Sequence, residues 1–254
     1  MAKTVLITGA SSGIGEACAR RFVSEGFRLI LNARNAAKLD ALKKDLETRF
    51  SAEVRLLPFD VRDVRTAELA LESLPEEWRA VDILINNAGL ALGTDKEFET
   101  DIEDCGTMID TNVKALLNIT RLVVPGMVER GAGHVINIGS IAGNAAYPGG
   151  SVYCATKAAV KALTDGLRMD LYDTPVRVTL IKPGLVETNF SVVRYHGDKQ
   201  KADAVYRGVK PLCGDDIADA VYYAATVPPH VQISEIEVLA THQASAQMVW
   251  RTER

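Results

Sequence analysis

Short apolar runs rich in β-branched residues alternate with longer amphipathic stretches from one end of the chain to the other. This alternation restricts the fold more than any other feature. The runs are Thr4 to Thr8, Arg28 to Ala33, Glu53 to Phe59, Ile83 to Asn86, His134 to Ser140, Val176 to Ile181 and Ile233 to Leu239. Parallel strands cannot be joined by tight hairpins and need long crossovers, usually helices. The intervening stretches supply them, near 13–25, 36–49, 63–73, 101–130, 151–172 and 214–226, with Pro125 expected to bend or interrupt the fourth. Val5-Leu6-Ile7 and Ile83-Leu84-Ile85 are apolar throughout, which suits strands covered on both faces. The expected fold is α/β: a doubly wound parallel sheet of seven strands with helices on both faces. A chain of 254 residues has room for one large domain or two smaller ones. No repeat, linker or low-complexity segment divides it, so residues 1–254 are expected to form a single domain. The stretch 187–212, with Gly197-Asp198-Lys199-Gln200, has weaker periodicity and reads as a mobile insertion above the strand ends, of the kind that closes over substrates.

Bulk properties narrow the partners. Apolar residues make up 47% and charged residues 24%, enough for a sizeable core without a stretch apolar enough to span a bilayer. The formal charge of −4, with no Lys/Arg stripe, argues against nucleic acid and anionic membrane and leaves a small molecule as the expected partner. Cys18, Cys105, Cys154 and Cys213 are widely spaced and the first residues lead straight into a strand, so a reducing cytoplasm is expected. His134, His196, His230 and His242 show no ligand spacing, and no metal site is expected.

The first strand runs into Thr8-Gly9-Ala10-Ser11-Ser12-Gly13-Ile14-Gly15 and then a helix. Glycines at such a strand-to-helix turn let a pyrophosphate approach backbone amides and the positive end of the helix dipole. The arrangement predicts a Rossmann-type dinucleotide site. An acid about 20 residues on, which would bond the ribose of NAD, is missing. Instead the second strand ends in Asn32-Ala33-Arg34-Asn35, and the Arg34 guanidinium, with the Ser11 and Ser12 hydroxyls, suits the 2′-phosphate of NADP(H). Asp60-Val61 closes the third strand, where a short acid can meet the adenine amino group or cap the next helix.

Further along come Asn86-Asn87-Ala88-Gly89 at the end of the fourth strand, Asn112 in Asp110-Thr111-Asn112, Ser140, Tyr153-Cys154-Ala155-Thr156-Lys157 and Pro183-Gly184. With the glycine turn, and in this order, they resemble the short-chain dehydrogenase/reductase family over nearly the whole chain. Residues four apart on a helix share a face, so Lys157 can lie beneath Tyr153 and favour its phenolate. A free phenol titrates near ~10 and a neighbouring cation can lower an acid by about 1–3 units, toward the useful range for proton transfer. Ser140 can donate a hydrogen bond to a carbonyl oxygen as it gains charge. The resemblance implies that Ser140, Tyr153, Lys157 and Asn112 are catalytic, Asn112 holding a water that links Lys157 to solvent. It also implies that Tyr153 and Lys157 touch the cofactor, that Asn87, Ala88 and Gly89 line its site, and that Pro183, Gly184, Val186 and Thr188 border the nicotinamide. The reaction is then hydride transfer between NADP(H) and a small alcohol or carbonyl.

Several segments, among them Leu74-Pro75-Glu76-Glu77-Trp78 and Pro183-Gly184-Leu185-Val186-Glu187-Thr188-Asn189-Phe190-Ser191, are closest in pattern to a subgroup, the NADP-dependent 3-hydroxy acid dehydrogenases. That pattern implies a serine-like or 3-hydroxyisobutyrate-like substrate bound by Ser140 and Tyr153, with Arg194 clamping its carboxylate. Tyr147 to Val152, with Asn144 and Ala145, would shape the approach to Tyr153. A general NADPH-dependent ketone or aldehyde reductase would keep every catalytic residue and lack the clamp. A non-catalytic NADP(H) sensor would lose the tyrosine or lysine, and a dehalogenase the glycine loop. The family resemblance also implies a homotetramer formed through the helices at 101–130 and 151–172.

Overall fold

In the computed structural model, which describes residues 2–252, all seven expected strands form. They are β1 (Thr4–Ile7), β2 (Arg28–Asn32), β3 (Val54–Leu57), β4 (Ile83–Asn86), β5 (Gly133–Ile138), β6 (Val176–Pro183) and β7 (Glu235–Val238). They build one sheet in the order β3-β2-β1-β4-β5-β6-β7, with every pair parallel.

The two-residue period of the strands divides the core. Val5, Ile7, Leu29, Leu31 and Ile85 meet Cys18 and Phe22 of α1 (Gly13–Val23), Leu39 and Leu46 of α2 (Ala36–Phe50) and Val221 of a late helix spanning Gly214–Thr226. On the other face Leu6, Ile30 and Leu84 meet Ala67 of α3 (Val64–Glu72), Trp78 of α4 (Glu76–Arg79) and Ile119, Val123 and Met127 of a helix spanning Ala115–Glu129. Burying both faces is what an all-parallel sheet requires.

After α5 (Ile102–Ile109) the helix passes through a π-turn, Asp110–Lys114, into α6 (Ala115–Glu129). Pro125 does not interrupt it: α6 runs through Pro125 and the irregularity falls earlier, at the turn that carries Asn112. A π-turn loosens the ladder where a side chain must face inward. Helix α7 (Ser151–Asp170) packs beside it, with Val160 against Leu116 and Leu180. Part of the insertion at 187–212 is helical, as α8 (Phe190–Arg194) and α9 (Lys199–Ala204), and a bridge between Val186 and Leu212 ties its ends before α10 (Gly214–Thr226). The short α4 was not expected from the periodicity, being a single turn opened by Pro75.

From β1 the chain winds outward through β2 and β3, then crosses back to β4 on the other side. Strand ends diverge at such a switch point and leave a crevice.

Candidate active site

A cleft of about 740 Å³ opens at this point. Among the residues singled out in the sequence it is lined by Gly9, Ser11, Ser12, Gly13, Ile14, Arg34, Asp60, Val61, Asn87, Ala88, Gly89, Ser140, Tyr153, Lys157, Pro183, Gly184, Val186, Thr188 and Arg194. Gly15 and Asn112 stand behind that surface.

At one end the glycine turn has the geometry its sequence demands. Gly9 has φ 65°, a left-handed conformation that side chains disfavour. A Cβ on Gly15 would sit 2.5 Å from the Asn87 amide nitrogen, so the helix can approach the strand only with glycine there. Asn87 in turn donates to the carbonyls of Thr8 (2.9 Å) and Gly9 (3.1 Å), while the Thr8 hydroxyl accepts from the amides of Asn87 and Ala88, both at 3.0 Å. The Asn-Asn-Ala-Gly segment therefore braces the loop from the β4 side. Helices α2, α3 and α5 begin with capping side chains, from Asn35, Asp63 and Asp101. At α1 the Ser12 hydroxyl makes no cap, so this helix keeps its first amides for another acceptor.

Arg34 is 65% exposed and its Nη1 lies 3.9 Å from Asp60, a distant pair that leaves the guanidinium its donors. Asp60 is held instead by Arg62, at 2.7 Å between Nη2 and Oδ2, and this bond keeps its carboxyl below the usual range. It does not cap a helix, because Asp63 caps α3. Thr188 Cβ packs 3.2 Å from the position a side chain on Gly13 would occupy, and its hydroxyl accepts from the amide of Phe190.

At the other end Tyr153 and Lys157 project from the first turns of α7, and both are buried. Lys157 Nζ donates to the carbonyl of Ile138 at 2.9 Å and lies 5.9 Å from the centre of the Tyr153 ring. Burial lowers the Lys157 ammonium to about 8. Ser140 stands two residues past the end of β5, beside them, and caps the following turn through Ala142 at 3.1 Å. Arg194 reaches in from α8, its Cζ 6.0 Å from the Tyr153 ring centre. Three bonds fix it: Nε to the Gly93 carbonyl (3.2 Å), Nη1 to the Tyr147 hydroxyl (3.0 Å) and Nη2 to the Gly149 carbonyl (3.0 Å).

The sequence model of the family described as short chain dehydrogenase matches residues 3–198. The chain belongs to the short-chain dehydrogenase family. It is 46% identical over 252 residues, 99% of this chain and 97% of the relative, to the NADP-dependent 3-hydroxy acid dehydrogenase of Schizosaccharomyces pombe. It is also 46% identical over 245 residues, 96% of each, to sulfoacetaldehyde reductase 2 of Chromohalobacter salexigens. Among solved structures, the closed form of serine dehydrogenase complexed with NADP+ superimposes with a TM-score of 0.91 at 45% identity, covering 98% of this chain and 100% of that one.

In this short-chain dehydrogenase one expectation needs correction, the placing of Asn144 and Ala145 by the cleft, and the surroundings of Tyr153 and Asn112 add to what the sequence showed. Burial comes first for the acidity of Tyr153 and raises its pKa well above the ordinary phenol; Ser140 and then Arg194 pull it down. The Asn112 side chain accepts from the Leu90 amide (2.8 Å) and donates to the Leu90 carbonyl (2.8 Å) and the Thr156 hydroxyl (3.0 Å), which uses both of its N–H groups and one lone pair of Oδ1. It joins the π-turn to the loop after β4 and so fixes Gly89 beside Lys157. Asn144 is exposed and turned onto Glu237 and Lys182, and neither it nor Ala145 borders the cleft. Among the lining residues with no role assigned from the sequence are Phe190 and Gln243. Phe190 packs on Tyr153, with ring centres 5.6 Å apart, and Gln243 comes from beyond β7.

Proposed function

We propose that this short-chain dehydrogenase moves a hydride between NADP(H) and a small anionic alcohol or carbonyl, a 3-hydroxy acid of the serine-like or 3-hydroxyisobutyrate-like kind. The observation that carries the substrate class is the placement of Arg194. A guanidinium has five N–H groups; three are engaged here, leaving one on each terminal nitrogen to donate to a carboxylate. Fixed 6.0 Å from the Tyr153 ring, it can hold a carboxylate while the substrate's oxygen two or three bonds away reaches the phenol.

The residues at the other end fit a dinucleotide: the glycine turn and uncapped start of α1 for the pyrophosphate, Arg34 with Ser11 and Ser12 for a 2′-phosphate, and Asn87 to Gly89 and Pro183 to Thr188 for the nicotinamide half. The bound cofactor supplies or accepts the hydride. Tyr153 stays protonated to high pH, because burial disfavours its phenolate, and so holds a proton for a carbonyl oxygen that is being reduced. Ser140 donates a second hydrogen bond to that oxygen. Lys157 replenishes the proton from one turn away and holds the nicotinamide ribose hydroxyls. Asn112 acts as a positioning residue, through Leu90 and Thr156.

A second reading places a sulfonate where the carboxylate would lie, and the equal identity to sulfoacetaldehyde reductase 2 favours it. NADPH- and NADH-linked absorbance assays on a 3-hydroxy acid, a sulfonated aldehyde and a neutral ketone separate these readings. Arg194→Ala should raise KM for the anionic substrate at least tenfold and leave the neutral ketone unchanged. Equal effects on both would refute the clamp.

The homotetramer belongs to the same proposal. Ile102 and Ile109 of α5, Leu117 of α6 and Met169 near the end of α7 are exposed, as a docking surface for further copies would require; sedimentation velocity tests it. The four cysteines, all free thiols, fit the proposed cytoplasmic location.

A further inference from the structure

The residues after β7 fold back as a hairpin. Gln243 bridges Val249 in antiparallel fashion, the Trp250 amide donates to the His242 carbonyl at 2.8 Å, and the two rings pack with centres 4.7 Å apart. Its last residues grip the insertion: Arg251 donates to the carbonyls of Arg207 (2.6 Å) and Val205 (3.0 Å), and the Thr252 amide to that of Gly208 (2.9 Å).

Held in this frame, Gln243 is 7% exposed and forms part of the cleft wall. Its Oε1 accepts from the Leu185 amide at 2.7 Å, and its Nε2 donates to the Ser245 carbonyl at 3.2 Å. The carboxamide lies against Gly184, where a Cβ would collide with its Oε1 and would also come within 3.0 Å of Leu239. Backbone on either side is fixed as well, since the Gly184 amide donates to Val238 at 2.8 Å and the Leu185 carbonyl accepts from Leu212 at 2.9 Å. The peptide joining Gly184 to Leu185 therefore has one free choice, its rotation about the chain, and Gln243 fixes it. Without that acceptor a half-buried amide would turn to find another, carrying Gly184 and Val186 with it.

We propose that Gln243 is a positioning residue for the nicotinamide wall of the cleft. It acts through the Gly184–Leu185 peptide. The proposal rests on the NADP(H) reading above, by which Pro183 to Val186 border the nicotinamide.

The test uses the full-length protein with NADPH as the probe. Gln243→Met keeps the length and removes the acceptor; Gln243→Asn keeps the amide but withdraws it by one methylene. Both should raise the NADPH Kd, read by fluorescence titration, at least fivefold. Both should also lower kcat at saturating NADPH with a larger primary isotope effect from the deuterated cofactor. A merely structural residue would reduce the folded fraction and leave the Kd and the isotope effect of the folded enzyme alone. Values within twofold of the parent for either variant would overturn the proposal. Failure of the conservative Gln243→Asn to fold would overturn it too, making the residue a determinant of folding instead. A parent that binds no NADPH would refute the NADP(H) reading itself, whereas a binding parent with unaffected variants refutes only the role of Gln243.

Discussion

Replacing Lys157 by methionine should change how the stability of this enzyme depends on pH. In the folded protein the ammonium titrates at about 8 because burial disfavours its charge, against 10.5 for an unperturbed lysine. Between these values the unfolded chain binds more protons than the folded one, so the parent gains stability as pH rises through the window. Each unit of difference is worth roughly 1.4 kcal/mol, so burying Lys157 costs about 3 kcal/mol near pH 7, where it stays charged, and only about 1 near pH 9.5, where it has given up its proton. Methionine fills much the same volume and does not titrate. It also leaves the Ile138 carbonyl unpaired, a loss of about 1–3 kcal/mol that opposes the relief of charge burial and makes the sign at one pH uninformative. That loss does not depend on pH and cancels in the comparison. Urea unfolding of parent and Lys157→Met near pH 7 and near pH 9.5 should therefore show the parent gaining about 2 kcal/mol relative to the variant. A difference that stays flat within 0.5 kcal/mol, or narrows with rising pH, would mean that Lys157 is not desolvated as its surroundings indicate.

Tyr153→Phe removes the transferable proton and should lower kcat by roughly 10²–10⁴ while NADPH titration shows near-parental affinity; retained turnover would refute the proton assignment. Arg34→Ala should cut the kcat/KM preference for NADPH over NADH by about tenfold or more, the loss of one charge-assisted phosphate contact, as steady-state assays with each cofactor would show. Gly15→Ala places a methyl group against the Asn87 amide and the Gly9 carbonyl, so it should lower stability by about 1–3 kcal/mol in thermal melts and weaken NADPH binding in the protein that remains folded.

What the sequence made legible was local. Val5-Leu6-Ile7 reads as a buried strand because three apolar residues in a row suit only an element covered on both faces, and β1 is buried throughout. The edge strand β7 is shorter than its apolar run suggested, Glu235–Val238, and is half exposed. Among the described residues no strand lies beyond it, so its outer edge stays open. The glycine turn was legible for the same local reason, since its conformation is written in the absence of side chains. Other features depend on partners far along the chain. The π-turn is joined to Leu90, 22 residues from Asn112, while Pro125, the local signal, sits inside an unbroken helix. Arg194 owes its position to Gly93 and Tyr147, 101 and 47 residues away. No pattern of residue types announces such pairs.

The acidity of Tyr153 shows how the local and the distant combine. The spacing of Tyr153 and Lys157 brings a cation near the phenol, yet that cation is engaged by Ile138 and burial dominates. A nearby charge that lowers the phenol's pKa belongs to Arg194, the residue proposed to receive the substrate's anionic group. A carboxylate bound there would offset the guanidinium's charge and weaken its pull on the phenolate. Tyr153 would then hold its proton more firmly in the substrate complex than in the free enzyme, which favours its role as donor when the carbonyl form is bound. A neutral ketone would leave Arg194 uncompensated. The pH above which carbonyl reduction falls should accordingly lie higher in the kcat profile for an anionic substrate than for a neutral one, and Arg194→Ala should remove the difference. Coincident profiles for the two substrates in the parent would sever the link between substrate charge and the proton on Tyr153.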